Sequence, residues 1–177
     1  MRRELFIHFL FWISLFIFIS IFRGYLSISY WPFWLGGVAG TLLPDIDHLI
    51  YIFFLNPQEL TSQRVDFLLK KKEIPRVLTL LSETRSERKN LIFHTFIFQI
   101  LFFVVAFLVL TSSTSMLARG LVLAFLIHLS VDQVTDFIEI KNLDSWGKLF
   151  SDFSSEKYLN LYLTISILLL IAISILL

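Results

Sequence analysis

The 177-residue sequence predicts an all-α protein, a polytopic transmembrane bundle of about five helices with a cytoplasmic N-terminus. Three observations lead there. Hydrophobic residues make up 56% of the chain, mean hydropathy is +0.78, and only 16% of residues are charged, against ~25% in ordinary globular chains. Twenty phenylalanines are more than a water-surrounded domain of this size is expected to bury. The apolar residues also gather into five runs near the ~20 residues that a helix needs to cross a ~30 Å hydrocarbon core.

Those runs are residues 5–22, 30–55, 91–111, 118–138 and 158–177, read as one membrane-embedded domain over 1–177 with a loop at 56–90. The first follows Met1, Arg2 and Arg3. It is longer than a signal-peptide core and no small-residue cleavage site follows Phe22, so it reads as an uncleaved anchor. The second carries Gly36, Gly37, Ala39 and Gly40 at helix-packing spacing. It then meets Pro44, where a break or kink is expected.

Loop charge sets the orientation. Arg2 and Arg3, eight cations between Arg64 and Lys89, and Lys141, Lys148 and Lys157 fall on one side of a five-span chain, leaving Arg23 and Arg119 opposite. The positive-inside rule puts that side in the cytoplasm of a cell (inner or plasma) membrane. Two amphipathic stretches are predicted there, Ile74, Val77, Leu78, Leu81 and Trp146, Leu149, Phe150, Phe153, each at i, i+3, i+4, i+7 spacing. Short helices lying on the inner leaflet and helices capping the bundle fit this pattern equally.

Composition excludes several kinds of chemistry. A net charge of +1 gives no global basic field, so no nucleic-acid partner is expected. The chain has no cysteine, which leaves nitrogen and oxygen as metal ligands and rules out a thiol nucleophile. No G-x-S-x-G elbow and no Gly-rich phosphate loop is present.

The polar residues inside the apolar runs point to a site. Ionisable groups in hydrocarbon cost at least ~2.5–3.5 kcal/mol each, yet all four histidines (His8, His48, His94, His128) lie within the runs, beside Asp45, Asp47, Asp132 and Asp136. His128, Asp132 and Asp136 follow one another at steps of four and share a helix face. Asp45 and His48 share a face if that stretch is helical. With the N-terminus inside, four helices deliver these groups to one depth, His8 and His94 each about one turn inside their spans. Metal ligands are expected from His8, Asp45, His94, His128 and Asp132. Asp47, His48 and Asp136 are expected to assist, with Asp47 or Asp136 as a general base or orienting a ligating imidazole. A mixed His/carboxylate set favours Zn, with Mn or Fe as alternatives.

The stretch Gly40-Thr41-Leu42-Leu43-Pro44-Asp45-Ile46-Asp47-His48 resembles the Gly-x-x-x-Pro-Asp-x-Asp-His motif of the membrane-bound metal-dependent hydrolase family of YdjM type. His94-Thr95 is similar to that family's His-Ser/Thr step, and His128-x-x-x-Asp132 to its third motif; the early His8 also suits the pattern. Lys89 and Asn90 stand where the family carries His-Arg. The resemblance implies an inner-membrane hydrolase. The function expected is metal-dependent hydrolysis of an ester or phosphoester in a lipid or lipid-linked substrate. Its rivals are an ion or metal transporter and a non-catalytic scaffold with a degenerate metal site, whose 56–90 loop would recruit a protein partner. The bilayer itself is the expected partner in every case.

Overall fold

The computed structural model describes residues 2–84, 87–88, 91–140, 143, 146–147 and 156–176, with side chains of 2–5, 140, 156 and 157 excepted. Every regular element among the described residues is helical, as the composition predicts. In chain order these are α1 (Arg2–Arg23), a 3-10 turn (Ile28–Tyr30), α2 (Trp31–Leu42), α3 (Ile46–Ile50) running into a π-helical turn (Tyr51–Leu55), α4 (Leu60–Lys70), α5 (Ile74–Glu83), α6 (Phe96–Ser112), α7 (Met116–Ile140) and α8 (Glu156–Ile175).

Among the described residues four segments are long and apolar enough to cross a membrane: Phe6–Arg23, Ile28–Leu55, Met116–Glu139 and Tyr158–Ile175. The remaining apolar run, expected over 91–111, forms a helix only from Phe96, for 17 residues or about 25 Å. Residues 92–95 form bends instead, and the backbone N–H groups of Ile92, Phe93 and His94 bind a side chain of another segment, as described below. His94 therefore sits ahead of α6, where the sequence pattern expects it one turn inside a helix.

The outer faces of α1, α6 and α8 are apolar and exposed, for example Phe11, Phe18, Leu101, Val104, Leu161 and Leu168. A helix exposing such side chains is at home in acyl chains rather than in water. α7 is the axis of the bundle. Its residues Val122 to Gln133 are all buried, against α1, α2, α6 and α8. One core cluster joins Trp12, Phe16, Phe33, Phe103, Leu110 and Leu123; a second joins Phe96, Phe125, Leu129, Trp146 and Leu163.

Close approach of α2 and α7 fixes the geometry at the centre. A Cβ added to Gly36 would meet the Leu117 carbonyl oxygen at 2.1 Å, and one on Gly40 the Leu121 carbonyl oxygen at 2.2 Å. From the other side, a Cβ on Gly120 would lie 2.1 Å from the Phe33 carbonyl oxygen. The small-residue patch thus lets two backbones touch, as membrane helix pairs require in the absence of a water-driven force. α2 then ends at Leu42, and Leu43 to Asp45 form the expected break at Pro44.

The 56–90 loop folds into the α4–α5 hairpin. Its core is Tyr51, Ile52, Val65, Val77 and Leu91, with Leu80 and Leu81 packed alongside. The predicted α5 helix forms, but its inward face is Val77, Leu80 and Leu81, while Ile74 and Leu78 are exposed. Of the second predicted amphipathic stretch only Trp146 is described, and it is buried; Leu149, Phe150 and Phe153 lie outside the described residues.

Candidate metal centre

The centre is built where α2 gives out. Along α7, Gly120, Ala124, His128 and Asp132 follow at steps of four on one ridge. The first two pack against α2. Once α2 breaks at Pro44 the same ridge faces room for larger side chains, and His128 and Asp132 occupy it. His8 reaches them from α1, and its ring stacks on that of His128 with centroids 4.2 Å apart.

Three imidazoles surround the Asp132 carboxylate. His8 Nε2 lies 2.9 Å from Oδ1, while His94 Nε2 and His128 Nε2 lie 2.9 and 3.2 Å from Oδ2. All four residues are buried. The donor atoms of His8, His128 and Asp132 lie within 4.8 Å of one another, so this group could hold a metal ion.

Electrostatics gives that reading weight. A bare imidazole lone pair and a carboxylate oxygen at ~3 Å repel unless positive charge lies between them. Protons on the rings, or one divalent cation shared by them, supply it. The His128–Asp132 contact also lacks the alignment of a hydrogen bond, and neither His128 ring nitrogen makes one among the described residues. Lone pairs that converge without pointing at one another are what a cation with ~2.0–2.1 Å metal–nitrogen bonds requires.

A second carboxylate fixes the orientation of His94. Asp47, fully buried, accepts from the backbone N–H of Ile92 (2.9 Å), Phe93 (2.6 Å) and His94 (3.3 Å). His94 Nδ1 lies 3.2 Å from the same Oδ2. An ionised carboxylate only accepts, so Nδ1 carries the proton and donates, which turns Nε2 toward Asp132. Thr95 caps α6 by accepting from Phe98 N at 3.2 Å, so the His-Thr step both ends the bend and opens the helix.

The remaining expected residues are placed at graded distance from this group. Asp45 is at the rim, its side chain 42% exposed, with Oδ1 3.7 Å from His128 Nε2. His48 accepts at Nδ1 from Arg88 Nε at 3.1 Å and stacks on His94 at 5.3 Å. With Nδ1 accepting, the neutral His48 ring carries its proton on Nε2, which makes it a donor rather than a ligand. Asp45 is the N-cap of α3 with helical backbone, and the His48 N–H bonds the Asp45 carbonyl at 3.2 Å, so the two residues stand one turn apart at the start of α3. Asp136, one turn beyond Asp132, accepts from Trp146 Nε1 at 2.8 Å. It reaches the centre through that indole, whose ring centroid lies 5.5 Å from that of His94.

Two participants escape the sequence reading. Arg88 is 2% exposed and holds His48, Thr84 and the Leu81 carbonyl. Trp146 shields His94 and secures Asp136. Arg88 stands among the loop cations and Trp146 in an amphipathic stretch, and neither carries a distinguishing pattern. Lys89 and Asn90 lie outside the described residues. No protein-family model, curated protein or solved structure matches this chain.

Proposed function

We propose that the protein is a membrane-embedded metal-dependent hydrolase acting on an ester or phosphoester in a lipid or lipid-linked substrate, of the kind its motifs resemble. One observation carries the reading: His8 of α1 and His128 and Asp132 of α7 bring three donor atoms together in the buried interior of a bundle whose outer faces are apolar. In this reading α6 serves as a fifth span, the N-terminus and the α4–α5 hairpin lie on the cytoplasmic side, and the membrane is the cell membrane.

His8, His128 and Asp132 hold the ion, and His94, turned by Asp47, offers a further nitrogen. The mixed nitrogen and oxygen set suits Zn best, then Mn or Fe. An ion held there would supply Lewis-acid polarisation of an ester or phosphoryl oxygen and would lower the pKa of a water toward about 7. The chain's own residues do the rest. Asp45, at the rim, is placed to take a proton from a group arriving from outside. His48 presents an N–H from Nε2. Trp146, Leu129 and Phe96 close one side of the centre to water.

Elemental analysis of the detergent-purified protein, beside His128→Ala/Asp132→Ala, tests this. Near-stoichiometric Zn, Mn or Fe in the wild type and none in the double variant is expected, followed by hydrolysis of a phospholipid or phosphoester panel by the wild type alone. A wild type that takes up no metal on reconstitution defeats the proposal.

A further inference from the structure

Asp45 is a carboxylate on an apolar, outward-facing stripe. Leu42, Asp45, Ile46, Leu49 and Phe53 succeed one another at helical spacing along the α2–α3 segment; the four apolar residues are exposed and the Asp45 side chain is 42% exposed. The segment belongs to Ile28–Leu55, which is apolar and long enough to span a membrane. A stripe of this kind faces acyl chains, and a half-exposed carboxylate within it is costly unless something polar meets it there. Among the described residues nothing does so from the outside. The Asp45 side chain, among the described residues, caps no helix and makes no hydrogen bond, and it lies 3.7 Å from His128 Nε2 on the inner side.

Apolar exposed side chains stand on both sides of Asp45 along the segment, so an aqueous mouth at this point fits poorly. A lipid fits both halves of the pattern. Its headgroup offers hydrogen-bond donors to the carboxylate, and its chains cover the leucines, the isoleucine and the phenylalanine. We infer that the break between α2 and α3 is a lateral portal, where a phospholipid whose headgroup carries an ammonium or hydroxyl donor docks on Asp45 from within the leaflet, its acyl chains lying along Leu42, Ile46, Leu49 and Phe53. As a lipid site the portal stands by itself. As the entrance to a hydrolytic centre it rests on the proposed function, with His128 as the link inward.

The test uses the full chain in vesicles of equal dioleoyl phosphatidylethanolamine, phosphatidylglycerol and phosphatidylcholine, extracted in mild detergent and examined for retained lipid by native mass spectrometry. Choline offers no donor, so enrichment of ethanolamine or glycerol lipid over choline lipid is expected, and which of the two is enriched assigns the ammonium or the hydroxyl. Asp45→Asn, nearly isosteric, should reduce the enrichment about tenfold, the scale of one charge-assisted hydrogen bond. Asp45→Leu should abolish headgroup preference. Equal retention of the three lipids by the wild type, or unchanged enrichment in Asp45→Leu, overturns the portal.

The chain has no cysteine, so Leu49→Cys takes a single spin label. Relaxation by lipid-soluble oxygen and not by a water-soluble nickel complex is expected. The reverse pattern, or disulfide cross-linking of Leu49→Cys to a second copy, places the stripe in water or between copies and overturns the inference. Metal content separates the two readings. Enrichment lost with metal retained in Asp45→Leu supports a portal distinct from the ion's ligands. Enrichment present in a wild type that binds no metal supports the lipid site while the hydrolase reading fails.

Discussion

Asp47 grips His94 twice, accepting the backbone N–H at 3.3 Å and lying 3.2 Å from ring Nδ1, both through Oδ2. The same carboxylate holds Ile92 and Phe93, so one side chain shapes residues 92–94 and aims the imidazole. Asp47→Ala leaves three partly buried backbone donors without their acceptor, at about 1–3 kcal/mol each. A loss of about 3 kcal/mol or more is expected in denaturant unfolding in detergent. Asp47→Asn keeps the shape and one acceptor oxygen. It should unfold closer to wild type while zinc affinity falls ~10–100-fold, as for groups that orient a ligand. Unchanged zinc affinity in Asp47→Asn would show that the aim of His94 is irrelevant to the ion.

The contact of Gly36 and Gly40 with the α7 backbone makes a second prediction. Their nearest neighbours are main-chain carbonyl oxygens, which cannot rotate away as a flexible side chain can. Gly40→Ala must push α2 off α7, and α2 leads directly into Pro44 and Asp45. Overpacking of about 1–3 kcal/mol is expected, with a larger loss for Gly40→Val. Val38→Ala, on the exposed side of the same helix, should change stability little. Thermal unfolding of the three variants decides this, and a wild-type melting temperature for Gly40→Val would mean the helices are not packed as described.

Much of this architecture was legible in the sequence because its signals are local. Apolar runs, a glycine patch, Pro44 and the i, i+4 step from His128 to Asp132 each dictate backbone behaviour within a turn or two. The convergence of His8, His94, His128 and Asp132 was likewise legible as four polar groups at one depth. What was not legible depends on contacts between distant residues. The start of α6 at Phe96 follows from Asp47 capturing the 92–94 backbone, some 45 residues away in the chain. Asp136 lies on the expected ridge, yet its carboxylate goes to Trp146, since α7 has turned a further turn past the centre. The inward face of α5 is set by the hairpin with α4, which keeps Val77 and Leu81 of the expected face, adds Leu80 and leaves Ile74 and Leu78 exposed.

Arg88 is the least predictable of these and the most easily tested. Nε donates to His48 Nδ1 at 3.1 Å, Nη1 to Thr84 Oγ1 at 3.0 Å and Nη2 to the Leu81 carbonyl. A planar fork with several fixed donors does this; an ammonium cannot. Arg88→Lys and Arg88→Ala should both cost about 1.5–3 kcal/mol, the scale of hydrogen bonds from a charged donor. Lys70→Ala, which removes an exposed pair with Asp66, should cost less than about 1 kcal/mol. Nitrogen-15 shifts of His48 add an independent readout: wild type should show the proton on Nε2, and Arg88→Ala a mixture of tautomers. Equal stability of Arg88→Lys and wild type would reduce Arg88 to an ordinary loop cation.

Metal binding should also be visible as stability, because the three donors come from α1 and α7 and an ion joining them binds the folded chain. At a free zinc concentration 100 times the dissociation constant the gain is about 2.7 kcal/mol. The melting temperature should rise with zinc and fall back on adding a chelator. His128→Ala and Asp132→Ala should abolish the rise, and His8→Ala should also do so at moderate zinc, since it removes α1 from the bridge. Asp136→Asn should retain the full rise, because asparagine still accepts from Trp146 and the residue lies outside the donor set. A zinc response that survives His8→Ala and His128→Ala together but is lost in Asp136→Asn would move the ion to the Asp136 end of α7, away from the centre described here.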